Sequence, residues 1–155
     1  MVKKILKILV IVLVAAFVVV QFFRIDRSVP PIVPSETLEA AVNVPPNISM
    51  ILGRSCSDCH SYTTIYPWYV NLQPAAWFMK NHIADGRAQL NFSVVNTYGA
   101  KKKARKLDEI CEQVRLNEMP LPSYLWIHWD AKLKEGDAQA ICDWAKEEEA
   151  KIPSE

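Results

Sequence analysis

Charge of one sign is what this chain most plainly lacks. Its 18 Lys and Arg stand against 17 Asp and Glu, a formal net charge of +1 over 155 residues. Lys3, Lys4 and Lys7 all fall within the first 23 residues, so the remainder is slightly acidic. That balance excludes the basic footprint of a nucleic-acid-binding protein. Alternating apolar and polar runs are also missing, which removes half-buried strands and leaves an all-α reading. No internal repeat is present, and no catalytic acid, nucleophile or Ser/His/Asp arrangement stands out. The chain is therefore not expected to be an enzyme.

Cysteine is sparse but placed. Residues 56–60 read Cys-Ser-Asp-Cys-His, the attachment sequence for a c-type haem. Two cysteines three apart share one face of a helical turn, where their sulfurs can add to the two vinyl groups of a porphyrin. His60 then offers an imidazole nitrogen to iron as the proximal ligand. A thioredoxin-like pair also reads C-x-x-C but follows a strand, whereas Asn47 to Ser55 is apolar at Ile48, Ile51 and Leu52 in helical fashion. Structural zinc needs four ligands, and Cys111 and Cys142 lie too far from each other to supply a second close pair. One covalent haem c is the expected cofactor.

The N-terminus sets the compartment. Three lysines precede an uncharged run from Ile8 to Phe23, and residues 5–23 approach the roughly 20 needed to span a hydrocarbon core. Basic residues ahead of the run place the N-terminus inside and the remainder outside. Val14-Ala15-Ala16 would serve as a signal-peptide cleavage site, but cutting there leaves Phe17 to Phe23 as an apolar new end. Residues 1–23 are accordingly read as an uncleaved transmembrane anchor in the inner membrane, with inner-membrane lipid contacting residues 5–23. Residues 24–46, with Pro30, Pro31, Pro34, Pro45 and Pro46, read as an extended tether. Residues 47–155 form one haem domain on the periplasmic side, small enough that a buried porphyrin would supply much of its core.

Helical periodicity marks residues 75–90 (Ala75, Phe78, Met79, His82, Ile83, Gly86), 101–117 (Leu107, Ile110, Cys111, Val114) and 135–150 (Ala138, Ile141, Cys142, Ala145). Cys111 and Cys142 sit on apolar faces; they are either a disulfide closing a loop of about 30 residues, worth roughly 3–4 kcal/mol, or two buried thiols. Met50, Met79 and most of the tryptophans are expected in the core or the pocket wall. Glu147–Glu149 reads as a solvated helix end. The run Lys101–Lys103 with Arg105 and Lys106 is a solvated helix start or a steering patch for an acidic redox partner. For the sixth iron ligand, Met119 leads. Pro120 disfavours helix at Met119, and Pro122 further stiffens the loop that presents it. A thioether suits haem iron. His82 and His128 are the alternatives.

Ser55 to Ser61, Tyr66-Pro67-Trp68-Tyr69, Asp85-Gly86-Arg87, Leu90-Asn91-Phe92-Ser93, Glu118 to Tyr124 and Asp143-Trp144 together resemble the bacterial haem-binding-domain family, small exported single-haem proteins similar to cytochrome c. The resemblance implies an all-helical, cytochrome c-like domain, haem on Cys56 and Cys59, His60 as proximal ligand and Met119 at the family's Met-Pro position. The expected function is a membrane-anchored one-electron carrier whose partners are membrane or periplasmic redox proteins. A haem enzyme or gas sensor with a labile sixth ligand, and a haem subunit of a respiratory assembly, are the competing expectations.

Overall fold

Apolar stripes at helical spacing assemble the domain. The computed structural model describes residues 1–153; Ser154 and Glu155, the end of the expected domain, lie outside it. Among the described residues there are helices and no strand: α1 (Val2–Val20), α2 (Leu38–Ala41), α3 (Pro46–Ser55), α4 (Ser57–His60), α5 (Ala75–Gln89), α6 (Ala100–Arg115), α7 (Pro122–Leu125) and α8 (Asp137–Glu149). The fold is all-α, and the three long helices read from periodicity stand within two residues of their expected bounds.

The main core lies between α6 and α8. Leu107, Cys111 and Val114 meet Ile141, Cys142 and Ala145, joined by Ile48, Ile51 and Leu52 of α3 and by Leu90, Phe92 and Val95. Cys111 and Cys142 are disulfide-bonded, their Cα atoms 4.5 Å apart. Trp144 is buried and donates its indole N–H to the Asn43 carbonyl at 2.8 Å. Glu148 corrects the reading of a solvated acidic end: it is buried, accepting the Asn43 N–H at 3.0 Å and pairing with Lys151 at 2.6 Å. Met50 is exposed rather than core, and on α5 the buried stripe is Ala76, Met79 and Ile83, with Phe78 turned out. These three, with Val70, form a second, smaller cluster against Ile25, Tyr66, Tyr69 and Tyr124.

The N-terminal third differs from expectation in two ways. Among the described residues no helix is long and apolar enough to cross a membrane, which corrects the transmembrane helix expected over residues 1–23. α1 stops at Val20 and holds three lysines in its first two turns. Its uncharged part, Ile8 to Val20, rises only about 20 Å, against about 30 Å of hydrocarbon. No residue of α1 is buried.

Residues 24–46 are also no loose tether. Gln21 and Gln73 bond each other twice: the Gln73 N–H donates to Gln21 Oε1 at 2.9 Å, and Gln21 Nε2 donates to the Gln73 carbonyl at 3.2 Å. Gln73 Nε2 then reaches the Phe23 carbonyl at 2.7 Å. Arg24 bonds the Asn71 carbonyl, and Arg27 bonds Val70 and Asn71 while lying over the Tyr66 ring. Further along, the Leu38 N–H donates to the Phe92 carbonyl. The segment is pinned to the domain along its length.

Candidate functional site

α3 delivers the C-x-x-C-H motif. Its buried residues Ile48, Ile51, Leu52 and Ser55 follow i, i+3, i+4, i+7, and Pro46 stands in its first turn, where a missing N–H is harmless. At Cys56 the backbone leaves the helix (φ −128°, ψ −38°) and restarts as α4. The Cys56 carbonyl accepts the N–H groups of Cys59 (3.2 Å) and His60 (3.0 Å). One tight turn therefore carries both thiols and the imidazole.

Two neighbours orient His60. Its Nδ1 lies 3.0 Å from the Leu90 carbonyl, and a carbonyl only accepts, so the proton is on Nδ1 and Nε2 keeps its lone pair. That is the arrangement in which a backbone partner aims an imidazole at a metal. The Phe92 N–H donates to the His60 carbonyl at 2.7 Å, and the Phe92 ring packs tilted at 6.0 Å from the imidazole. Burial holds the imidazole below its ordinary pKa, an effect partly opposed by the Leu90 bond. His60 is thus neutral at pH 7, the form that ligates.

The cysteines are unpaired, partly buried thiols. Burial pushes Cys56 up to about 12 and Cys59 to about 11. Disulfide oxidoreductases need a depressed thiol pKa, and a helix rather than a strand precedes the motif, so the thioredoxin-like reading fails on both counts. Zinc fares no better: among the described residues no three His, Cys, Asp or Glu side chains gather as a metal site.

α5 closes on the motif from the other side. At Gly86 a Cβ would stand 2.7 Å from the Cys59 carbonyl oxygen, so only glycine permits this approach. Arg87 one residue on donates to the Ser61 carbonyl (2.8 Å) and to the Thr64 hydroxyl (3.0 Å). Asp58, between the cysteines, accepts the Ile65 N–H at 2.8 Å and the Tyr124 hydroxyl at 2.8 Å. Sequence reasoning missed Asp58 and Ser55. Tyr124 is engaged by Asp58, and Trp126 is exposed.

Two adjoining clefts, of about 430 and 320 Å³, share Ser55, Cys56, His60, Gln89, Met119 and Pro120 in their walls. Each falls in the range of ligand sites. Leu52, Leu90, Phe92 and Val114 line the first; Cys59, Gly86, Leu121 and Tyr124 line the second. Met119 reaches both because α6 ends in a tight cap. Asn117 takes a left-handed φ of 56°, and its N–H donates to Val114 while the Glu118 N–H donates back to Gln113. This paired bonding is the Schellman arrangement, and it turns the chain so that Met119 follows directly over the cleft.

The alternatives for the sixth position separate. His82 lines the second cleft beside His60 and Met119, its Nδ1 on the Phe78 carbonyl at 2.9 Å. His128 lies elsewhere: it bonds the Tyr69 hydroxyl, stacks on Tyr124 at 4.1 Å, and lines neither of the two clefts. The basic run on α6 is largely consumed locally. Lys102 sits over Tyr98, Lys106 is buried against Glu109, and Arg105 also pairs with Glu109.

The donors present fit a haem. An imidazole with a free Nε2, a thioether and two thiols converge on an apolar slot. The buried Ser55 hydroxyl in its wall has no hydrogen-bond partner among the described residues, as a group awaiting a ligand would. A sequence model described as a haem-binding domain matches residues 15–147. No curated protein and no solved structure gives a match.

Proposed function

Since the chain belongs to the haem-binding domain family and so binds haem, we propose that it is a membrane-attached c-type cytochrome with one covalent haem, working as a one-electron carrier. A single observation carries the reading: Cys56, His60 and Met119 line the same pair of clefts. Haem supplies a ferric–ferrous couple, and Met/His ligation raises its potential. Everything else is the work of this chain. Cys56 and Cys59, protonated at neutral pH, provide the thiols for two thioether links. The Leu90 carbonyl holds His60 in its ligating tautomer. The cap at Asn117 presents Met119 from the facing loop, and Leu52, Leu90, Phe92 and Val114 would pack against the ring. With His60 and Met119 holding the iron, no open position would be left for substrate.

The Cys111–Cys142 disulfide supports an oxidising, exported location. On this reading the haem domain lies on the periplasmic side. α1 itself, with no buried residue and an uncharged stretch from Ile8 to Val20, is the element that enters lipid, with its lysines reaching back to the headgroups. Redox partners are then membrane or periplasmic proteins.

Absorption spectra of the purified protein beside Met119→Ala test the ligation. The expected result is a weak far-red ferric band that the substitution removes, with haem retained on the denatured chain by mass. A spectrum unchanged by the substitution moves the sixth ligand to His82. Rapid carbon monoxide binding by the reduced wild type would overturn the carrier and favour a sensor or enzyme.

A further inference from the structure

Three of the five tryptophans are not where packing would put them. Trp68, Trp126 and Trp129 are 75, 84 and 79% exposed, and Ile65 and Ile127 are exposed with them. A small domain that leaves this much aromatic surface open has a use for it. The two segments that carry them are linked through the fold. Trp68 packs edge-on against Tyr69, Tyr69 packs edge-on against His128, and His128 lies between Ile127 and Trp129 in the chain. Ile65 precedes the Tyr66–Tyr69 segment that starts this chain of contacts.

Their position relative to α1 identifies the occupant. The Trp68 carbonyl accepts the Asn71 side-chain amide at 2.9 Å. The Asn71 backbone carbonyl takes Arg24, and its side-chain oxygen takes Arg27. Trp68 is therefore within one turn of the bonds that clamp the end of α1 to the domain. The membrane attachment proposed above puts α1, which has no buried residue, in lipid at that point, and the clamp gives the domain no slack to stand away. Tryptophan is the residue enriched where hydrocarbon meets headgroups, because its ring is apolar and its N–H is wet.

We infer that Trp68, Trp126 and Trp129, with Ile65 and Ile127, form a seat for the headgroup layer of a phospholipid bilayer, laying the haem-cleft domain directly on the membrane. This rests on the membrane attachment proposed above and extends it: the domain is oriented, not merely tethered. His128 and Tyr124, behind the seat, join it to Asp58 in the haem-attachment turn.

The test uses the full chain, haem loaded, in vesicles of phosphatidylcholine and phosphatidylglycerol with or without bromine on the acyl chains. Flotation is measured on the same samples. Wild-type tryptophan emission should fall by about half in brominated vesicles, three of five indoles lying at the interface. A W68F/W126F/W129F variant should float equally well and lose most of that quenching, since Trp77 and Trp144 remain. Flotation without quenching, or quenching unchanged in the triple variant, overturns the seat and leaves the attachment standing. Failure to float overturns both.

Discussion

Gly86 shows how one residue governs the site. A glycine inside α5 sacrifices helix propensity, by about 1 kcal/mol relative to alanine, and the return is the close approach of Cys59. Overpacking of this kind costs about 1–3 kcal/mol, so Gly86→Ala should lower thermal stability and the fraction of protein carrying haem. Gly53→Ala is the control: nothing lies within 4 Å of its Cβ position, so it should be neutral or slightly stabilising. Melting curves and haem-to-protein ratios of the two variants make the comparison. Equal behaviour would show that the contact at Cys59 has no role. The glycine was visible in the sequence as part of Asp85-Gly86-Arg87, but its reason was not, because its partner is 27 positions away in the chain. Asp58 was hidden for the same reason, bonding Tyr124 across 66 positions.

At the scale of elements, helix ends do the aiming. The motif turn begins where α3 breaks at Cys56, and Met119 follows where α6 is capped at Asn117. A residue other than glycine, asparagine or aspartate loses about 1–2 kcal/mol in the left-handed region. Asn117→Val should thus lower the melting temperature and weaken the far-red band expected of the proposed Met119 ligation, whereas Asn117→Gly should preserve both. Loss of the band in the glycine variant as well would mean that the asparagine side chain, not the backbone turn, places Met119. Pro120 marked this helix end in advance, since the residue before a proline avoids helical geometry. Periodicity placed α5 well in sequence yet misjudged its face: Phe78 was expected inside and is exposed, while Ala76 is buried. A face is decided by what packs against it, and α5 meets the motif turn and the Trp68–Asn71 turn rather than α6.

For the whole molecule, the decisive feature is the clamp between the end of α1 and the domain. Gln73 is buried and bonds both Gln21 and Phe23. Gln73→Leu keeps the volume but removes the bond from Nε2 to Phe23. Limited trypsin digestion of the vesicle-bound protein should then cut faster after Arg24 and Arg27, without a change in the haem spectrum. An unaltered cutting rate would show that the remaining Gln21 and arginine contacts suffice to hold the segment.

The sequence alone determined what is written in local spacing. Cys56, Cys59 and His60 share one turn, three helices carry apolar stripes, and no alternating run marks a strand. Tertiary structure decided what depends on partners distant along the chain. The apolar faces of α6 and α8 left a disulfide or two thiols open, and their packing joined Cys111 to Cys142. His82 and His128 were equal candidates by residue type, and only the path of α5 and of the loop after α7 set one beside the cleft and the other behind Tyr69. The proline-rich segment read as a loose tether because proline favours extended backbone, yet Gln21, Arg24 and Arg27 find carbonyls at residues 70–73 that no local rule brings near. Spacing fixes which side chains share a turn; hydrogen bonds and burial between distant turns fix where that turn faces.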